Sequence, residues 1–445
     1  MKTKYLFFLA IFMMFAIMGI LIPSGGDFGG DENLVAADIA WMLTATALVL
    51  LMTPGLSFFY GGMMEKKNVI STMLQSFIAM GVISVLWVII GFSLSFGESI
   101  GGSGTGIIGN PMTFFMFKNV GGHSHPALSP TIPLALFALF QLKFAIITPA
   151  LITGSFAGRI RFTGYLVFIS LFSLLIYAPL AHMTWHPNGL LRNWGVLDFA
   201  GGTVVHMSAG FAALAGALFL GKRKDAGNHK PARVTYVLLG TGMLWFGWFG
   251  FNAGSALGAN AQSVLAFLNT NTASAAAMIA WVFFDGAMGR KPSAMGASIG
   301  AVVGLVAITP AAGFVDVGAS IFIGVVAAIV SNVAISMKSK TSIDDTLDVF
   351  PAHGMGGITG MILTAVFAKE VGLIHGETTT FLYHLLALVI VGVFAFGGSW
   401  ILYKITDMLV PMRVTAEQEA IGLDLSQHDE TMYSGDGYEA LRSQS

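Results

Sequence analysis

DFAGGTVVHMSAG, residues 198–210, sets an aspartate at the start of a hydrophobic run and a histidine eight residues later. If the run were helical throughout, Asp198 and His206 would lie about 12 Å apart along its axis. An ionisable side chain inside such a run is costly in hydrocarbon and marks a pathway or a paired site. Two questions follow: whether the run crosses a membrane, and what the histidine meets there.

Composition answers the first. The chain has 445 residues, 55% hydrophobic and 10% charged, whereas soluble proteins carry about a quarter charged residues. That deficit indicates an all-α polytopic membrane protein. A formal net charge of −1 argues against nucleic acid as a partner. Cysteine is absent, which excludes disulfides, thiolate metal sites and cysteine nucleophiles. The 55 glycines are concentrated in apolar runs and suit close helix–helix packing.

Eleven spans are expected, at about 37–62, 70–96, 133–155, 162–180, 198–220, 234–256, 263–285, 294–310, 316–337, 350–369 and 380–408. They are apolar on all sides, as spanning helices are. Alternate loops place Lys66, Lys67, Arg159, Arg161, Lys222, Arg223, Lys224, Lys230, Arg233, Arg290, Lys291, Lys338 and Lys340 on one side, thirteen in all. Three, Lys118, Arg192 and Lys369, fall on the other. The bias puts the N-terminus outside and the C-terminus inside. Ahead of the first span, Lys2 and Lys4 precede an apolar run to Ile22, which reads as a signal peptide over residues 1–24. An uncleaved first span is the alternative, because no small-x-small site stands out before Gly25. The membrane domain is then 25–412 and the cytoplasmic tail 413–445.

Asp198…His206 opens the fifth span and Asp348…His353 the tenth. The offset of five spans is odd, so the halves cross in opposite directions, the inverted five-helix repeat of many transporters. The two histidines would meet near the midplane. Burial disfavours the imidazolium, and a neutral imidazole donates from one nitrogen and accepts at the other. Paired, they form a polar rail for a small hydrogen-bonding molecule or a proton. The plain alternative is two histidines that each bond a neighbouring backbone group. Asp198 can cap its helix and attract a cation to the mouth.

Phe140 and Phe144 are one helical turn apart, as are Phe251 and Ser255, and Trp185 stands at an outer span edge. Singly these are ordinary membrane filler. Together, aromatic faces and a hydroxyl would attract a small cation, and the rings could close as an apolar gate. Lys143 is expected to snorkel outward or meet another subunit, and His123 and His125 to sit in a solvated outer loop over 97–132. No catalytic constellation, cofactor motif or metal spacing emerges, so the reading is not an enzyme.

Several long motifs occur in order: MTPGLSFFYGGMMEKKNVISTM, FQLKFAIITPALITG, PLAHMTW, LDFAGGTVVHMSAG, WFGWFGFNAGSA, DVFPAHGMGGITG and RVTAEQEAIGLDLSQHDETMY. From about Ala37 to Tyr433 the chain resembles the ammonium transporters of the Amt/Mep/Rh family, in its Amt branch. The resemblance implies a multi-pass protein of the cell membrane, the inner membrane in a bacterium, that serves nitrogen uptake. It implies a homotrimer in which each subunit has its own pore for ammonium or ammonia. By residue matching, Phe140, Trp185 and Ser255 resemble the outer recruitment site and Asp198 the acid that holds it. Phe144 and Phe251 resemble the phenyl gate, and His206 and His353 the twin pore histidines. The tail from Arg413 resembles the segment that couples subunits and, in many relatives, meets a nitrogen-signalling PII protein. WHPNGLL after Trp185 departs from a common Gly-rich run, and Gly158 stands where glutamate is frequent. The alternatives are an ammonium receptor signalling through its tail and a membrane enzyme with a histidine metal site.

Overall fold

The computed structural model describes residues 2–22, 24–224 and 230–432, with side chains from residue 5 onward. The Lys2 and Lys4 side chains of the leader and residues 433–445 of the expected tail lie outside the described residues. The helices are α1 (Lys2–Leu21), α2 (Ala36–Met63), α3 (Lys66–Phe96), α4 (Leu134–Phe156), α5 (Phe162–Trp185), α6 (Gly202–Leu220), α7 (Val234–Gly254), α8 (Ala261–Ala287), α9 (Ala294–Ile308), α10 (Val317–Lys338), α11 (Phe350–Phe367) and α12 (Thr378–Leu409). Two short helices follow, α13 (Ala416–Ile421) and α14 (Leu423–His428). Among the described residues ten helices are long and apolar enough to cross a membrane, namely α2 to α8 and α10 to α12. The protein is therefore an all-helical multi-pass membrane protein. The long loop between α3 and α4 contributes one two-residue antiparallel pairing, Ser99–Ile100 with Ile108–Gly109.

Burial sorts the helices. α4 and α6 are largely enclosed, whereas α10 and α12 turn apolar side chains such as Phe322, Leu382 and Val393 outward. In a hydrocarbon solvent an outward Leu or Val costs nothing, so the outer face needs no polar stripe. α4 packs against α2, α3 and α6, and α7 lies along α2.

α6 and α11 share an irregularity. Each opens with one wide π-type turn, Gly202–Met207 and Phe350–Gly354, a feature often found at functional sites. The two helices cross where Gly210 faces Gly354, and a Cβ on Gly210 would collide with the Gly354 backbone. Only glycine permits that approach.

Two expectations are corrected. α6, the fifth expected span, begins at Gly202, so Asp198 precedes it and the straight helical spacing of about 12 Å to His206 does not hold. Gly201, at φ 115°, makes the turn between them. In the second half, Asp348 is not the counterpart of Asp198. It sits at φ 58° and pairs with Lys338 at 2.5 Å. Asp345, eight residues before His353, takes that role: its carboxylate accepts the Phe350 N–H at 2.7 Å at the start of α11.

The tail folds back onto the ends of the helices. Arg161 N–H donates to Met412 O at 2.7 Å and Val414 N–H to Arg159 O at 3.1 Å. The Asp424 carboxylate accepts from Ile70 N–H at 3.0 Å and Ser71 N–H at 2.8 Å, near the start of α3. The Arg413 guanidinium donates to the Leu220 and Lys222 carbonyls at the end of α6 and pairs with Glu419 at 3.0 Å. Carboxylate at a helix start and cation at a helix end both suit the helix dipole.

Candidate functional site

A cavity of about 470 Å³ opens beside α4, α5 and the loop before α6. Phe144, Trp185, Asp198 and Ser255 all line it. The Ser255 hydroxyl donates to Phe251 O at 2.9 Å, which leaves its lone pairs for an incoming N–H. Trp185 stands edge-on to Phe144, centroids 5.7 Å apart. Phe140 is placed differently from its expected role. It is fully buried behind Phe144, centroids 5.0 Å apart, and does not line the cavity. Lys143 is half-buried and also absent from the lining.

Asp198 is held by the start of α6 and its approach. One carboxylate oxygen accepts the Gly201 and Gly202 N–H groups at 2.7 and 2.6 Å. The other accepts the Thr203 N–H at 2.7 Å and the Thr203 hydroxyl. This satisfies three of the four orphan donors at the start of α6 and its approach. Asp198 also supplies its backbone carbonyl to Trp185 Nε1–H at 3.0 Å, fixing the indole at the cavity wall. The negative charge is thus buried, fully hydrogen-bonded and next to the cavity.

Below the cavity the path narrows. Phe144 and Phe251 stack with centroids 4.1 Å apart and planes 24° from parallel. Beyond them lies a narrow cavity lined by Leu56, Val205, His206, Trp248, Phe251 and His353. A second lies between His353, Phe59, Leu347 and Asp348. They have volumes of about 10 and 20 Å³, room for one water-sized molecule each. Apart from the histidines and the indole N–H the first is walled by hydrocarbon, so a bare cation would leave its hydration shell without replacement.

The two histidines meet here, Nδ1 to Nδ1 at 3.4 Å, with ring centroids 5.4 Å apart. Hydrogen-bond accounting assigns their protons. The Thr309 hydroxyl donates to Leu305 O at 2.8 Å and accepts from Trp248 Nε1–H at 2.9 Å. Its one proton is used, so towards His206 Nε2, at 3.3 Å, it accepts. His206 therefore carries its proton on Nε2 and accepts at Nδ1. His353 donates from Nδ1 and keeps Nε2 as a free acceptor. The pair is a polarised chain running from Thr309 to an open lone pair.

Trp248 and Thr309, which contact His206 or its partner, and Asp345, which caps the helix carrying His353, were not singled out by the sequence. The spacing of eight residues, shared by Asp198–His206 and Asp345–His353, was a signal for Asp345. Trp248 and Thr309 carried none, because their contacts join α7 and the end of α9 to α6. Burial pushes the Asp345 carboxyl up to about 6, against the pull of Lys338. In the loop between α3 and α4, His125 Nδ1 accepts from the Ala127 and Leu128 N–H groups, and His123 lies 3.3 Å from Asp27. Among the described residues no three His, Cys, Asp or Glu side chains converge to hold a metal ion.

Comparison with known proteins places this geometry. The family model described as Ammonium Transporter Family matches residues 40–433. An ammonium transporter of Bacillus subtilis is 43% identical over 404 residues, 89% of this chain and 98% of that one. One of Aquifex aeolicus is 42% identical over 426 residues, 94% and 98% of the two chains. Among solved structures, Mep2 of Saccharomyces cerevisiae superposes with a TM-score of 0.81 at 34% identity, covering 87% of this chain and 89% of that one. The chain belongs to the ammonium transporter family and is a transport protein, not an enzyme.

Proposed function

We propose that each subunit recruits ammonium at the outer cavity and passes it, as ammonia, between the phenyl rings and along His206 and His353. Trp185 and Phe144 offer aromatic faces to the cation and Ser255 an acceptor, while the buried Asp198 charge biases the mouth towards cations. Phe140 acts from behind by seating Phe144. At the gate the cation gives up a proton to water in the outer cavity and goes on as ammonia, since the narrow cavities cannot replace its hydration. The observation that carries this reading is the order along one path: cation-suited cavity, stacked Phe144 and Phe251, then the paired imidazoles.

The test is a current and uptake series in liposomes, ammonium against potassium. The unaltered protein should respond to ammonium and not to potassium. His206→Ala with His353→Ala should lower ammonium flux by roughly tenfold or more and admit potassium, because the widened path can hydrate. Asp198→Asn should retain part of the flux, and Asp198→Ala almost none. Full flux with unchanged selectivity in the double histidine variant would refute the role of the pair.

Eleven crossings, an outer N-terminus, an inner tail and an inverted repeat are part of the same proposal. α9 is short, yet it is packed among α7, α8, α10 and α11, and the chain continues through buried turns to Val315, which supports its counting as a crossing. Assembly as a homotrimer in a bacterial inner membrane, with a PII-type regulator at the tail, rests on the family. We also propose that residues 1–24 are removed on export. α1 exposes Leu6, Phe7 and Leu21, which supports a segment outside the bundle. An intact mass that still includes Met1 would overturn this. The docked tail keeps a second reading open, an ammonium receptor. Tail movement on ammonium addition without flux would favour it.

A further inference from the structure

We propose that His384 is a positioning residue for the outer mouth, and that it tunes the affinity of recruitment rather than the speed of passage. The proposal rests on the reading of that mouth as an ammonium site. His384 lies near the start of α12, away from the pore, and is fully buried. Its Nε2 accepts the Leu197 N–H at 2.8 Å, and its Nδ1 bonds Met361 O, on α11, at 3.0 Å. A backbone N–H can only donate and a carbonyl can only accept, so the ring is the neutral Nδ1–H form with both nitrogens used. Next to it, Tyr383 stacks on Trp194, centroids 5.5 Å apart.

The start of α12 thus grips the loop before α6 at two points, Trp194 and Leu197. That loop is a wall of the outer cavity: Gly195, Val196, Leu197, Asp198 and Phe199 all line it. Leu197 immediately precedes Asp198, whose carbonyl fixes the Trp185 indole and whose carboxylate caps α6. Loss of the Leu197 bond would take away a partner of this partly buried N–H and free the segment that sets the indole and the charge. The two phenyl rings and the histidine pair touch neither His384 nor Leu197 in any hydrogen bond or ring contact described above, so passage itself should be spared.

Glutamine can reproduce both bonds, accepting through Oε1 and donating through Nε2. Asparagine carries the same groups on a shorter arm that cannot span both partners, and leucine carries neither. Concentration dependence of ammonium uptake is measured in liposomes for the unaltered protein and for His384→Gln, His384→Asn and His384→Leu. Uptake is normalised to folded protein by gel filtration. We expect the half-saturating ammonium concentration to rise about tenfold in the Leu and Asn variants, with maximal uptake within twofold, and to return close to the unaltered value with Gln. Unchanged half-saturation in Leu or Asn would overturn the proposal, as would a loss of maximal uptake at unchanged half-saturation. If the Leu variant does not fold, the Asn and Gln pair decides by the same criterion. No saturable uptake by the unaltered protein would overturn the transport reading and this proposal with it.

Discussion

Asp198 and Asp345 share a place in the fold and differ in what surrounds them. The Asp198 carboxylate takes three backbone N–H groups and a hydroxyl, which offsets the cost of burying its charge. Charge-assisted bonds of this kind contribute roughly 1.5–3 kcal/mol each. Asp345 has fewer partners, and one of its carboxylate oxygens has none. Burial accordingly lifts its carboxyl from 3.8 to about 6. The sign follows from linkage. The native state holds this proton more tightly than the unfolded chain, so from about pH 4 to pH 6 the contribution to stability falls as pH rises. Above pH 6 a constant cost of about 3 kcal/mol remains, from roughly two units at 1.36 kcal/mol each. Asp345→Asn keeps an acceptor for Phe350 N–H without the charge. Unfolding in detergent should show the variant at least as stable as the unaltered protein at pH 7.5, with a shallower slope between pH 4 and 6. The same slope in both proteins would show that another group sets it.

At the next scale the two histidines come from a matched pair of helices, α6 and α11. Each begins with a capping aspartate, makes one wide turn, presents a histidine and then runs on as a regular helix. Their crossing at Gly210 and Gly354 sets the distance between the imidazoles. Since a Cβ on Gly210 would collide with the backbone of the other helix, Gly210→Ala must push the helices apart or unwind a turn. Overpacking of this kind costs about 1–3 kcal/mol. We predict that Gly210→Ala lowers ammonium flux at least tenfold, with a smaller change in the concentration that half-saturates uptake. The contacts it disturbs lie at the pair and not at the mouth. Native flux in a folded Gly210→Ala protein would mean that the spacing of the pair is not critical.

Across the whole molecule, the tail connects regions that are distant in sequence. Arg413 closes carbonyls at the end of α6, and Asp424 accepts from the Ile70 and Ser71 amides near the start of α3. The tail therefore holds the C-terminal end of the helix that carries His206. Deleting residues after Met412 removes these contacts and the Val414 N–H to Arg159 O bond, each worth about 1 kcal/mol, which a bundle of this size should survive. The expected outcome is a folded protein of unchanged assembly state by gel filtration, with lowered or deregulated flux in liposomes. Unchanged flux and regulation would take the tail out of the mechanism, and loss of assembly would make its role structural.

What the sequence determined by itself was whatever depends on composition and local order. A tenth of residues charged, long runs apolar on every side and positive loops on one side point to a helical membrane protein, because hydrocarbon leaves the backbone no other way to satisfy its hydrogen bonds. His206 and His353 could be picked out for the same reason: an ionisable group in such a run has to be explained. Tertiary structure decided the rest, because distances between helices are not written in local order. That Phe144 stacks on Phe251 while Phe140 stands behind, that Thr309 from α9 orients His206, and that His384 reaches the loop beside Asp198 all follow from which helices pack together. Asp345 and not Asp348 caps α11 because the chain turns through a left-handed residue at 348, where Lys338 from α10 pairs with Asp348 and donates to Asp345 O, a contact between elements that the eight-residue spacing alone does not reveal.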